Sequence, residues 1–153
     1  MTTLREKLIG AWEMEDFKIQ EGNTLVDSPL GPVEQSGGIL IYSEDGLMTA
    51  FLSQNDIPRF SDNSLDGGTI EERARANKGI ICYTGSFDVD EINHTVTHHV
   101  RYASVPNMIE KDLMRICVWE NDKLKLDTPP MEFGGVMKSS YILWKRVKPA
   151  VHK

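Results

Sequence analysis

Alternation over residues 82–102 limits what this chain can become. The stretch runs Cys82-Tyr83-Thr84-Gly85-Ser86-Phe87-Asp88-Val89, crosses a polar turn, and returns as Thr95-Val96-Thr97-His98-His99-Val100-Arg101-Tyr102. Successive side chains on a strand point to opposite faces, so each arm divides into two sets. Pairing Val89 with Val96 gathers Tyr83, Gly85, Phe87, Val89, Val96, His98, Val100 and Tyr102 on one face. Cys82, Thr84, Ser86, Asp88, Thr95, Thr97, His99 and Arg101 take the other. The first set is apolar and aromatic with one imidazole in it, and water tolerates the second. The hairpin therefore belongs to a sheet with one covered side, and His98 lies on that side.

The remaining chain reads the same way. Thr3 followed by Glu6 is a capping box and starts a short helix that Gly10 should end. Alternation from Ala11 makes a strand with Trp12, Met14 and Asp16 inward. Thr24-Leu25-Val26 begins a short second strand, and residues 27–38, with Pro29, Gly31, Pro32, Gly37 and Gly38, read as loop. Ser43-Glu44-Asp45-Gly46 suits a type I turn with Gly46 at positive φ, which sets Tyr42 beside Met48 and Leu40 beside Ala50. Residues 53–68 are loop. Thr69 and Glu72 form a second capping box, opening a helix to about Asn77 that is either a lid or a plain connector. Val105-Pro106-Asn107 breaks the strand begun at Thr95. A two-residue turn at Asn121-Asp122 pairs Trp119 with Leu124, turning Leu113, Arg115, Cys117, Trp119, Leu124 and Leu126 inward. Thr128 to Gly135 reads as loop, and Val136 to Val147 as the last strand, with a loose tail from Lys148. Short strands at near-regular spacing, separated by turn signals, mean a closed sheet or a sandwich.

Composition excludes several function classes. At 153 residues the chain is most simply one domain, residues 1–153, long enough for a sizeable core. A net charge of −6 argues against nucleic acid, which calls for a basic patch. No apolar run approaches the ~20 residues of a membrane span, and Met1 to Lys7 is too polar for a signal peptide. Cys82 and Cys117 lack metal-ligand spacing and make no disulfide framework, so reduced thiols in a cytoplasmic protein are expected. His94, His98 and His99 make a poor metal set: adjacent strand residues face opposite ways, and no carboxylate or cysteine completes the spacing. No phosphate-cradling glycine loop is present, and no cofactor is expected.

Gly10-Ala11-Trp12 after a short helix matches the G-x-W signature of lipocalin-type barrels. An ordered series narrows the match: Gly38 to Met48, Pro58-Arg59-Phe60, Tyr83 to Asp90, Thr95 to Val100, Pro106-Asn107, Leu124 to Pro130, and Trp144-Lys145-Arg146-Val147. Across about residues 7–147 the chain resembles the lipocalin-like domain family of small stand-alone barrels from bacteria and fungi. The resemblance implies an all-β fold, an antiparallel barrel of about 8–10 strands around a cavity, with a short N-terminal helix and one near residues 69–77. It also implies that a basic residue on the last strand, here Arg146, stacks over Trp12 and closes one end. Related barrels include carriers, cyclases and isomerases, so fold alone leaves the use of the cavity open.

The inward set supplies the candidate site: Tyr42, Met48, Tyr83, Phe87, His98, Tyr102, Arg115, Cys117, Trp119 and Trp144. Ligand pockets are mostly apolar with a few convergent polar groups, and this set has that character. His98 is the candidate for proton transfer, or else a satisfied core histidine bonded to Tyr102 or a backbone carbonyl. Arg115 either holds an anionic group, pairs internally with Asp16 or covers an end of the barrel. His99 should face solvent and be idle. Two functions follow. One is binding of a small, largely apolar molecule with an anionic or carbonyl group. The other is a cofactor-free cyclase or isomerase acting on an enolisable substrate through His98. Met114, Ile116 and Val118 face outward as an apolar stripe, the expected contact of a homodimer.

Overall fold

The structure, a computed structural model, describes residues 1–149, so the end of the expected loose tail lies outside the described residues. Helix α1 (Leu4–Leu8) precedes β1 (Gly10–Glu21) and β2 (Thr24–Asp27). Strands β3 (Ser36–Tyr42) and β4 (Leu47–Gln54) form the next hairpin, and α2 (Ile70–Lys78) leads into β5 (Ile80–Asp90) and β6 (Thr95–Ala103). The chain ends through β7 (Asp112–Glu120), β8 (Lys123–Phe133) and β9 (Val136–Arg146). Neighbouring strands pair antiparallel in the order β2-β1-β3-β4-β5-β6-β7-β8-β9, and β9 pairs back on β1. The sheet is thus a closed eight-stranded barrel with β2 attached outside the ring. Closure removes sheet edges and leaves an interior able to hold one small ligand.

Three hairpin registers follow from the turns. Tyr42 faces Met48, Val89 faces Val96 and Trp119 faces Leu124. Gly46 at φ 89° and Asn121 at φ 60° supply the left-handed residues that these tight turns need. Both capping boxes form: Thr3 with Glu6, and Thr69 with Glu72. Helix α2 buries no residue and contributes nothing to the cavity wall, as a plain connector would.

Bulges correct the alternation in two places. Register slips by one between Thr84 and Gly85, so Tyr102 pairs with Thr84, faces outward and is 61% exposed. The extra residue on β6 presses against Gly85, where an added Cβ would sit 1.8 Å from the His99 carbonyl oxygen. A second slip between Met14 and Asp16 turns Phe17 and Ile19 inward. Asp16 therefore points out and accepts from the Tyr141 hydroxyl at 3.0 Å, so it cannot pair with Arg115 inside. Residues 128–133, expected as loop, continue β8. Proline lacks a ladder donor, but β7 pairs with β8 only as far as Asp127, and the β9 register shifts between Thr128 and Met131. Pro129 and Pro130 thus sit where no partner needs their missing N–H.

One end of the barrel is stoppered. Leu4 and Leu8 of α1 are buried, and Trp12 Nε1 donates to the Leu8 carbonyl at 2.9 Å. The Arg146 guanidinium lies 3.9 Å from the Trp12 ring centroid and donates to the carbonyls of Ile9 and Lys7 at 2.7 and 2.6 Å. Gly10 does not end the helix; it opens β1 at φ 124°, and a Cβ there would meet Arg146 Nη1 at 2.6 Å. The glycine and tryptophan of the G-x-W pattern thus both serve this closure. Among the described residues no helix is long and apolar enough to cross a membrane. Met114, Ile116 and Val118 face outward as read from the sequence.

Candidate functional site

The stoppered half is filled and the other half is hollow. Trp12, Tyr42, Met48, Phe87, Cys117 and Leu124 belong to the packed core, with Trp119 against it. A cavity of about 480 Å³ occupies the open half, within the range of about 300–1,000 Å³ usual for small-molecule sites. Of the residues read from the sequence, Tyr83, His98, Arg115 and Trp144 line it. Tyr42, Met48, Phe87, Cys117 and Trp119 lie behind that wall, and Tyr102 is outside the barrel. The wall also includes Leu52, Val105, Met108, Met131 and Phe133, which the inward set omits. Exposed Asn107, Lys111 and Glu132 mark the mouth, between the β6–β7 connection and the far end of β8.

Three strands bring the polar floor together. His98 on β6 is fully enclosed, at 1% exposure. Its Nε2 lies 2.6 Å from the Tyr42 hydroxyl on β3, and its Nδ1 lies 2.9 Å from the Tyr83 hydroxyl on β5. The expected partner, Tyr102, is replaced by these two phenols. A neutral imidazole has one donor and one acceptor nitrogen, so one of the two phenols donates to the ring and the other accepts from it. Burial, helped by the Arg115 charge, pushes the His98 pKa down to about 3, so the ring is neutral.

Arg115 on β7 completes the floor. It is 8% exposed; its Nη1 donates to the Met114 carbonyl at 3.1 Å, and the Tyr83 hydroxyl is a second, neutral acceptor within its reach. Among the described residues no carboxylate lies within ion-pair distance of it. Burial raises the pKa of Tyr83, and the nearby Arg115 partly offsets the rise, so the phenol stays neutral and supplies no countercharge. Trp144 Nε1 is buried and has no hydrogen-bond partner. A buried cation without a countercharge is costly, and an acceptor entering the cavity would offset that cost. Burial lifts the Cys117 thiol to about 12, which removes it as a nucleophile.

His99 faces solvent as expected but is not idle. Its Nδ1 donates to Asp112 and its Nε2 to Asp88, each at 2.7 Å, tying β5, β6 and β7 together outside the barrel. The Asp112 and Asp88 hydrogen bonds raise its pKa above 6.5. A raised folded pKa stabilises fully below the unfolded value and loses that contribution as pH climbs through the folded one. The His99 contribution should therefore fade above pH 6.5, and at this exposed position it should amount to less than about 1 kcal/mol. Urea midpoints of wild type and His99→Gln should differ at pH 5.5–6 and converge toward pH 9 (roughly the span over which an exposed His with carboxylate partners titrates). A difference that persists unchanged to pH 9 would contradict this.

Comparison with known proteins converges on the same architecture. The family model described as "Lipocalin-like domain" matches residues 9–147. A curated relative from Aspergillus oryzae, named as a 4'-hydroxy-3'-methoxypropiophenone carrier protein, is 28% identical over 107 residues. That alignment covers 65% of this chain and 96% of the relative.

Proposed function

The chain belongs to the lipocalin-like domain family, and on that premise we propose that its barrel binds a small, largely apolar organic molecule through one anionic or carbonyl oxygen. The carrying observation is Arg115: a buried guanidinium on a cavity wall without a carboxylate partner among the described residues. An oxygen-bearing ligand supplies the missing acceptor, while Leu52, Met108, Leu113 and Phe133 cover its apolar body. The Aspergillus relative supports this reading, since the ketone in its name has an aromatic body with carbonyl and phenolic oxygens. Catalysis by His98 is less well supported. Both ring nitrogens are engaged by tyrosines and the ring is held neutral, so the imidazole is poorly placed to accept a substrate proton near neutral pH.

Thermal denaturation with 4'-hydroxy-3'-methoxypropiophenone and a series of aryl carboxylates tests the proposal. A ligand present at a hundred times its Kd should stabilise the fold by about 2.7 kcal/mol, which raises the midpoint by a few degrees. Failure of every member of the series to move the midpoint would contradict it.

A further inference from the structure

We propose that the cavity takes an ionisable phenol or enol as its conjugate base, so that binding releases the hydroxyl proton to solvent. This rests on the binding reading above and adds to it the protonation state of the ligand. The groups at the floor have unequal hydrogen-bonding capacity. Tyr83 Oη lies 2.9 Å from His98 Nδ1 and within reach of the Arg115 guanidinium, from which it can accept a hydrogen bond. Arg115 can only donate. Thr128 and Ser140, also on the wall, are satisfied by each other: Thr128 Oγ1 accepts from Ser140 N at 3.0 Å and lies 2.7 Å from Ser140 Oγ.

A neutral phenol placed against this floor would leave the buried Arg115 charge without a countercharge. A phenolate brings acceptors alone. It also neutralises the Arg115 charge in an environment where charge interactions are weakly screened. The other charges on the wall, Lys111 and Glu132, are exposed at the mouth and opposite in sign. The proton balance is simple. The ligand O–H bond breaks, its electron pair stays on oxygen, and the proton passes to buffer. His98 does not take it, because both ring nitrogens are already bonded.

The probe is 4-nitrophenol, whose phenolate absorbs in the visible range and whose phenol does not. Binding is read separately, by quenching of tryptophan fluorescence, with 4-nitroanisole as a ligand that cannot ionise. At a pH just below the solution pKa of the probe, the bound species should show the phenolate band. Its pKa should fall by about one to three pH units, the effect of an adjacent guanidinium. Weakly buffered solution should acidify on mixing. Arg115→Met should bind the probe as neutral phenol, and Tyr83→Phe should keep part of the shift. Quenching with the spectrum of the neutral phenol, or 4-nitroanisole binding as tightly as 4-nitrophenol, would overturn the inference and leave the binding reading standing. Absence of quenching by both compounds would overturn the two together.

Discussion

Arg115→Met is expected to cost an anionic aryl ligand about 2–5 kcal/mol of binding, a factor of roughly thirty to several thousand in Kd. The same variant should be as stable as wild type or more so. The two halves of this prediction have one cause. Folding buries the guanidinium against neutral acceptors, with no carboxylate partner among the described residues, so the empty protein bears its desolvation cost. Methionine removes that cost and fills similar volume with an unbranched apolar side chain. The bound complex, in contrast, loses the charge that offsets the ligand's own desolvation. Titration calorimetry with benzoate-class ligands and urea denaturation, run on one preparation, check both halves. A variant that loses stability and keeps affinity would mean that Arg115 serves the fold.

His98→Ala should show the opposite pattern, losing about 3–5 kcal/mol of stability in urea denaturation. It opens a void in the floor and leaves the enclosed Tyr42 hydroxyl without its hydrogen-bond partner. His98→Ala combined with Tyr42→Phe should recover part of the loss, because the orphaned hydroxyl is then gone. The imidazole also dictates an acid limb. Its folded pKa, about 3, lies below the unfolded value of 6.5. As pH falls below 6.5 the unfolded chain gains a proton that the folded barrel refuses. Stability from this group is complete above that value and is lost progressively toward pH 3, at up to about 1.4 kcal/mol per pH unit. His98→Gln should flatten that limb, and a limb of unchanged slope would refute the assignment.

Much of the architecture was legible because alternation and turn chemistry are local. Cross-strand neighbours such as Tyr42 and Met48 follow once Gly46 is given positive φ. Faces after a bulge are another matter. The slips at Gly85 and after Met14 arise from pairing with a neighbouring strand, and one extra residue turns Tyr102 and Asp16 outward. Distances across the lumen were hidden for a related reason. Alternation says that Tyr42, Tyr83 and His98 point inward, but only closure places both phenols on one imidazole.

The division of the inward set was equally invisible. Phe87 packs and Tyr83 lines the cavity because α1 and Trp12 fill one end of the tube, not because their residue types differ. One signal was available for the missed wall residues. Val105, Met108, Met131 and Phe133 are apolar side chains in segments that otherwise read as loop, and exposed loops rarely need them. The proline pair hid the continuation of β8, since proline is normally excluded from a strand paired on both sides.

A crystal structure with 4-bromobenzoate, its bromine located by anomalous scattering, tests the charge at the floor most directly. The carboxylate should lie within hydrogen-bond distance of the Arg115 guanidinium and Tyr83 Oη, with the bromine toward Met108 and Phe133. A carboxylate held instead by Lys111 at the mouth, or a ligand bound outside the barrel, would contradict the account.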